Sequence, residues 1–159
     1  MKRILSNPAL SLAVRLTVGL IFIAAAVDKI AVPDAFAKSI SNYQIMPLYL
    51  LHISAITLPW IELLVGLMLV LGVRLRANAA IAGVLLLTFI AAILWALSQD
   101  YNINCGCFAQ KPDAPQHKIG AQKVFENIGL TALCAYIFMF PSSVVTLERF
   151  AIAEREIAA

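Results

Sequence analysis

The chain has 159 residues, 62% of them hydrophobic and only 13% charged, with a mean hydropathy of +0.88, whereas a soluble domain keeps about a quarter of its residues charged. It cannot cover itself with polar surface, so the lipid bilayer is its solvent. A net charge of +3 with no basic run or aromatic-interleaved stripe excludes nucleic acid as a partner, and no GxxxxGK[ST], GxSxG or HExxH motif is present to support nucleotide, serine-hydrolase or zinc-protease chemistry.

Four apolar segments follow one another, each near the roughly 20 residues that span a hydrocarbon core. The first runs over residues 9–27, "ALSLAVRLTVGLIFIAAAV". Lys2 and Arg3 before it and Ala24–Ala26 at its end give it features of a signal peptide. Arg15 interrupts the run and the stretch is long enough to cross, so it reads as a retained helix. A loop over 28–47 follows, with Pro33 and Pro47 as breakers. The second and third spans cover 48–73 and 77–97, joined by a tight turn at "RLRA". A polar loop, 98–118, leads to a fourth span at 119–140 whose first half is polar and second half apolar. Residues 142–159 form a short tail that reads as an amphipathic surface helix. The expected fold is all-α: an integral membrane four-helix up-down bundle over residues 1–141.

Orientation follows from Lys and Arg near the ends of the spans. With the N-terminus inside, the inner side holds Lys2, Arg3, Arg74, Arg76, Arg149 and Arg155, with Arg15 just within the first helix; the outer side holds Lys29, Lys38, Lys111, Lys118 and Lys123. The excess favours an N-in, C-in protein of the cytoplasmic (inner) membrane, with the 98–118 loop outside.

Charges inside the spans are costly, about 2.5–3.5 kcal/mol each at a helix centre, so partners are expected. Arg15 and Glu62 sit on adjacent antiparallel spans and are read as an interhelical ion pair, with Gly19 and Gly66 letting the backbones approach. Such a pair is either a structural staple or part of a proton or quinone path. Asp28 and Lys29 end the first span, where a lysine can snorkel to the surface. In the fourth span Lys123, Glu126 or Asn127, Leu130 or Thr131, and Cys134 recur at helical spacing as one stripe facing the bundle. The stripe either packs the helices or forms a polar vestibule; Cys134 reads as a small buried hydrophobe.

The loop carries "NCGCFAQ", with Cys105 and Cys107 one residue apart. A turn at Cys-Gly-Cys can bring half-cystines to the required separation, since glycine accepts unusual dihedrals. A disulfide closing so small a ring is strained, and strained exposed disulfides tend to be labile or catalytic. Outside the membrane, where disulfides persist, the pair therefore reads as a redox couple. A structural disulfide, a soft metal site from the two thiolates, and inert thiols stay open. Adding His117 and Asp113 gives no recognisable zinc spacing, so no metal is assigned.

Arg15 with "GLIFIAAAVDKI", "PDAFAKSISNYQIMP", "LPWIELLVGLMLVLGV" and "CGCF" resemble the MauE (methylamine utilisation) branch of the DoxX-like small membrane proteins. The resemblance covers roughly residues 10–130. Its most specific part is Pro59-Trp60-Ile61-Glu62-Leu63-Leu64 together with Cys105-Gly106-Cys107-Phe108; this chain has Ala109 where members commonly carry glycine. It implies a four-helix membrane protein associated with maturation of the disulfide-rich small subunit of methylamine dehydrogenase, working beside a membrane-anchored thioredoxin-like protein of the MauD type.

Together these readings give a component of thiol–disulfide exchange, with Cys105 and Cys107 catalytic, a polar network of Arg15, Glu62, Asp28, Lys29, Glu126 and Asn127, and a membrane quinone as electron reservoir by analogy with DsbB-type proteins. Those proteins carry a second cysteine pair, which this chain lacks. Two other functions fit the sequence. In one, the loop disulfide only shapes a docking surface on a non-catalytic subunit or assembly factor. In the other, a vestibule carrying Glu62 and Glu126 is a small-molecule or metal channel.

Overall fold

A computed structural model describes residues 8–43, 47–99 and 121–141, all in helices and their connections. Five α-helices follow in order: α1 (Pro8–Ala31), α2 (Pro33–Ser41), α3 (Leu48–Leu71), α4 (Leu75–Ser98) and α5 (Ala121–Met139). Among the described residues α1, α3 and α4 are long and apolar enough to cross a membrane; α5 is shorter and starts on polar residues.

In lipid, hydrophobicity does not distinguish core from surface, because the tails are as apolar as leucine; close packing and small interface residues drive association instead. Leu20, Ile53, Trp60, Val84 and Phe125 are accordingly exposed. The core is built from Val18 and Phe22 of α1, Val65 and Leu69 of α3, Leu75, Ala79, Ala82 and Leu86 of α4, and Cys134 and Ile137 of α5. α1 lies antiparallel to α3, and the closest approach is at two glycines. A Cβ on Gly19 would sit 2.9 Å from the Gly66 carbonyl oxygen, and one on Gly66 would sit 2.9 Å from that of Gly19. Both positions must therefore stay bare. α4 packs on α5, and the Ser11 hydroxyl donates to the Phe140 carbonyl at 3.1 Å, tying the start of α1 to the end of α5.

The connections differ from the sequence reading in two places. Pro33 opens a helix inside the stretch read as a loop. It occupies the first turn of α2, where its missing N–H would be unsatisfied anyway and its fixed φ suits the helix. Asp34 complements the N-terminal end of the helix dipole, and Phe36 is buried. The turn between α3 and α4 begins earlier than "RLRA". Gly72 ends α3 at φ 76°; its N–H bonds Leu69 O, and Val73 N–H bonds Met68 O, the paired bonds of a Schellman cap. Arg74 takes a second left-handed conformation at φ 43°, and the Asn78 side chain holds the turn by donating to Val73 O at 2.7 Å.

Candidate functional site

The buried ion pair joins α1 to α3, but its cation is Lys29. Lys29 Nζ lies 2.6 Å from both carboxylate oxygens of Glu62. Lys29 is 2% exposed and Glu62 4%, so the lysine read as snorkelling to the surface is instead enclosed. Glu62 does not pair with Arg15, whose Nη2 reaches the Val70 carbonyl at 3.5 Å. The cause is antiparallel register. With Gly19 opposite Gly66, Arg15 lies level with Val70, eight residues or about 12 Å from Glu62 along the axis. Side chains also lean toward the N-terminus of their own helix. Arg15 and Glu62 therefore lean apart, whereas Lys29 and Glu62 lean toward each other and close the six-residue difference between their levels.

The Lys29 ammonium sits between two rings, 5.1 Å from the centroid of Phe36 on α2 and 4.9 Å from that of Phe89 on α4. The negative faces of the rings favour the cation where water is excluded. The sequence reading missed both phenylalanines; an aromatic just after a helix-starting Pro33, seven residues from a membrane lysine, was the available signal. The pair borders a cavity of about 40 Å³ lined also by Phe22, Leu86, Asn127 and Leu130. That is room for a few water molecules beside polar groups able to hold them.

Of the fourth-segment stripe, α5 turns Asn127 and Cys134 inward, 8% and 1% exposed. The Asn127 amide donates to the Lys123 carbonyl at 2.8 Å and its own carbonyl accepts from Thr131 at 2.7 Å. Glu126 faces outward, 2.6 Å from Lys123 on the surface, so it stands apart from the buried pair. Asp28 is half-buried and takes no part in that pair. Tyr43, just past α2, is buried, and burial pushes its phenol from the ordinary 10 up to about 12. Cys105, Cys107, Lys111, His117 and the C-terminal tail lie outside the described residues. Among the described residues no cluster of side chains suits a metal ion.

Three apolar helices and a charge pair enclosed between two of them define a multi-pass membrane protein. Comparison with known proteins narrows this further. The family model for the methylamine utilisation protein MauE matches residues 7–140. Methylamine utilization protein MauE of Methylophilus methylotrophus is 29% identical over 89% of this chain and 74% of its own length; its namesake from Paracoccus denitrificans is 31% identical over 84% of this chain and 70% of its own length. The chain belongs to the MauE family. Protein TlpB of Flavobacterium psychrophilum is 30% identical over 81% of this chain, which covers 36% of that longer protein. No solved structure matches the chain significantly.

Proposed function

We propose that the protein takes part in thiol–disulfide exchange that matures exported proteins, with Cys105 and Cys107 as the exchanging pair and a thioredoxin-like protein of the MauD type as partner. The observation that supports this reading is the location of the two helix ends between which the CGC segment runs in sequence. α4 finishes at the end of the molecule where α1 finishes and α3 begins, the end holding Lys29, Glu62 and α2, and α5 sets out from the same end. The residues that flank segment 100–120, at the end of α4 and the start of α5, thus lie at the end of the molecule toward which the ion pair is displaced, and the family's name connects the protein to methylamine utilisation. Attack by one cysteine thiolate on a partner disulfide forms a mixed disulfide, which the other cysteine resolves, leaving the partner as a dithiol and this pair as a disulfide; the reverse reaction oxidises the partner.

In this reading α1, α3, α4 and α5 cross the cytoplasmic membrane as a four-helix up-down bundle with both termini inside. α5, at 19 residues, is about 28 Å long, close to the roughly 30 Å hydrocarbon core. Burial of Lys29 and Arg15 removes one cation from each side of the orientation count. Lys2, Arg3, Arg74, Arg76, Arg149 and Arg155 then stand against Lys38, Lys111, Lys118 and Lys123, which keeps the excess inside.

The test is thiol trapping in intact cells with Cys134→Ser as background. A membrane-impermeant maleimide should label Cys105 and Cys107 only after reduction. Cys105→Ser or Cys107→Ser should then accumulate a mixed disulfide with a thioredoxin-like protein. Labelling that requires broken membranes would place the pair in the cytoplasm and end the reading. Full maturation of exported substrates in the double serine variant would transfer it to a docking role.

A further inference from the structure

The side of α3 that faces away from Glu62 is a straight stripe of large side chains. Ile53, Ile56, Trp60, Leu64, Leu67 and Leu71 recur at steps of three and four, and all are exposed. Trp60 holds the centre of the stripe. It lies twelve residues from the start of α3 and eleven from its end, about 16–18 Å from each, which is the middle of a hydrocarbon core roughly 30 Å thick. Tryptophan ordinarily sits at the membrane–water interface, where its N–H finds an acceptor. Trp95 is placed that way, three residues from the end of α4.

The Trp60 indole N–H can only donate, and its own helix gives it no acceptor. The carbonyls along that side are taken by the N–H groups of α3. The carbonyl that Pro59 releases belongs to Ala55, on the buried side with Pro59 itself. Thr57, three residues before Trp60, is also exposed. The exposed threonines of α1 and α4 turn back onto their own helices, Thr17 to Ala13 O and Thr88 to Val84 O at 2.9 Å each. Thr57 makes no such bond among the described residues. Wherever its proton turns, its oxygen keeps a lone pair for an incoming donor. A donor and an acceptor therefore face hydrocarbon at mid-depth, where an unsatisfied polar group is costly.

A second copy of the chain supplies the partner for both. Copies in one membrane share one orientation, so two α3 helices meet in parallel about a two-fold axis along the membrane normal, and the same face meets itself. The second copy's Thr57 then lies about 4.5 Å nearer the start of α3 than Trp60. Long helical side chains lean toward the N-terminus of their helix, which carries the indole to the level of that hydroxyl. An unrelated helix would have to bring an acceptor to this depth, whereas this face carries its own. We propose that the protein forms a homodimer through α3, with each Trp60 indole donating to the Thr57 hydroxyl of the other copy and Ile53, Ile56, Leu64 and Leu67 packed between them. Glu62 faces the other way, so the ion pair with Lys29 stays within each copy.

The experiment uses the full chain in vesicles of phosphatidylcholine over a range of protein-to-lipid ratios. Chains labelled once at the C-terminus should bleach in two steps above a threshold density and in one step below it. With Trp95→Phe, Trp60 is the sole tryptophan; brominated acyl chains should quench it strongly at high dilution and less as dimers form. Trp60→Phe and Thr57→Val should each weaken dimerisation about tenfold or more. The two together should weaken it about as much as either alone, because they remove the same bonds. Thr57→Val serves if Trp60→Phe does not fold by circular dichroism. Single-step bleaching at every density, quenching independent of dilution, or dimers indifferent to both substitutions would each overturn the proposal. Dimers lost instead on Trp95→Phe would also overturn it, by moving the contact to α4.

Discussion

Glu62→Leu should destabilise the protein severely, and Lys29→Met should rescue it. Removing the carboxylate leaves an ammonium 2% exposed, held only by the faces of Phe36 and Phe89. Those rings are worth about 2 kcal/mol or more each when desolvated, less than the carboxylate they would have to replace. Breaking a buried ion pair on one side costs about 3–5 kcal/mol, whereas replacing both members with apolar residues of similar volume is often neutral or stabilising. The lipid reference state trims these values, because a helix unfolded within the membrane also finds partners for its polar groups. Each single variant should therefore lose about 2–4 kcal/mol, and Lys29→Met/Glu62→Leu should return to within about 1 kcal/mol of the parent. Unfolding of the purified protein by sodium dodecyl sulfate, followed by circular dichroism, gives the complete double-mutant cycle. The same cycle run with Arg15→Leu and Glu62→Leu should be additive within about 0.5 kcal/mol, since these residues do not touch. A double Lys29/Glu62 variant no more stable than the worse single, or strong coupling between Arg15 and Glu62, would refute the pairing.

Three further outcomes follow from the packing and the buried phenol. Gly66→Ala would place its Cβ 2.9 Å from both the Gly19 carbonyl oxygen and Ile23 Cγ1, and should cost about 1–3 kcal/mol in the same unfolding measurement. Gly129→Ala meets nothing within 4 Å and should be neutral or stabilise by up to about 1 kcal/mol through helix propensity; equal losses at the two glycines would show that α1 and α3 do not approach there. Tyr43 is neutral when folded up to about pH 12, against an ordinary 10, so its raised folded-state value contributes stability that is fully present below pH 10 and lost as pH rises from 10 to 12. Phenolate absorbance of the parent should show one tyrosine ionising late, a phase absent from Tyr43→Phe; identical titrations would place Tyr43 in water.

Much of the helical layout was legible because the apolar runs are long and their ends are marked. "GVR" after Leu71 carries the glycine of a helix C-terminus, and residues 121–139 show a buried stripe at helical spacing through Asn127 and Cys134. α2 was hidden because proline is ambiguous in sequence: before a span it reads as a breaker, yet Pro33 starts a nine-residue helix. Glu126 and Asn127 are adjacent, so periodicity alone left open which of them faced inward. The structure turns Asn127 in and leaves Glu126 on the surface. The Phe36–Lys29–Phe89 arrangement draws on three helices, and no local spacing reveals that kind of site.

The ion pair shows a different kind of limit, because the information needed to place it was present in the sequence. Arg15 and Glu62 each precede a glycine by four residues, and that parallel phrasing invites pairing arginine with glutamate. In antiparallel helices, however, steps forward along one chain are steps backward along the other. If Gly19 meets Gly66, then Arg15 must meet Val70 and Glu62 must meet Ile23, which is where the contacts of both glycines and of Arg15 fall. Glu62 is then left facing the C-terminal half of α1, where Lys29 offers the nearby cation on the same helix. A lysine at the end of a span is usually dismissed as snorkelling to water. Here α2 folds back and puts Phe36 over it, removing the water it would have reached. That makes α2 a condition of the buried pair: Phe36→Ser should expose Lys29 and weaken its coupling to Glu62 in the double-mutant cycle. A coupling energy unchanged by Phe36→Ser would mean that the pair is enclosed by the spans alone.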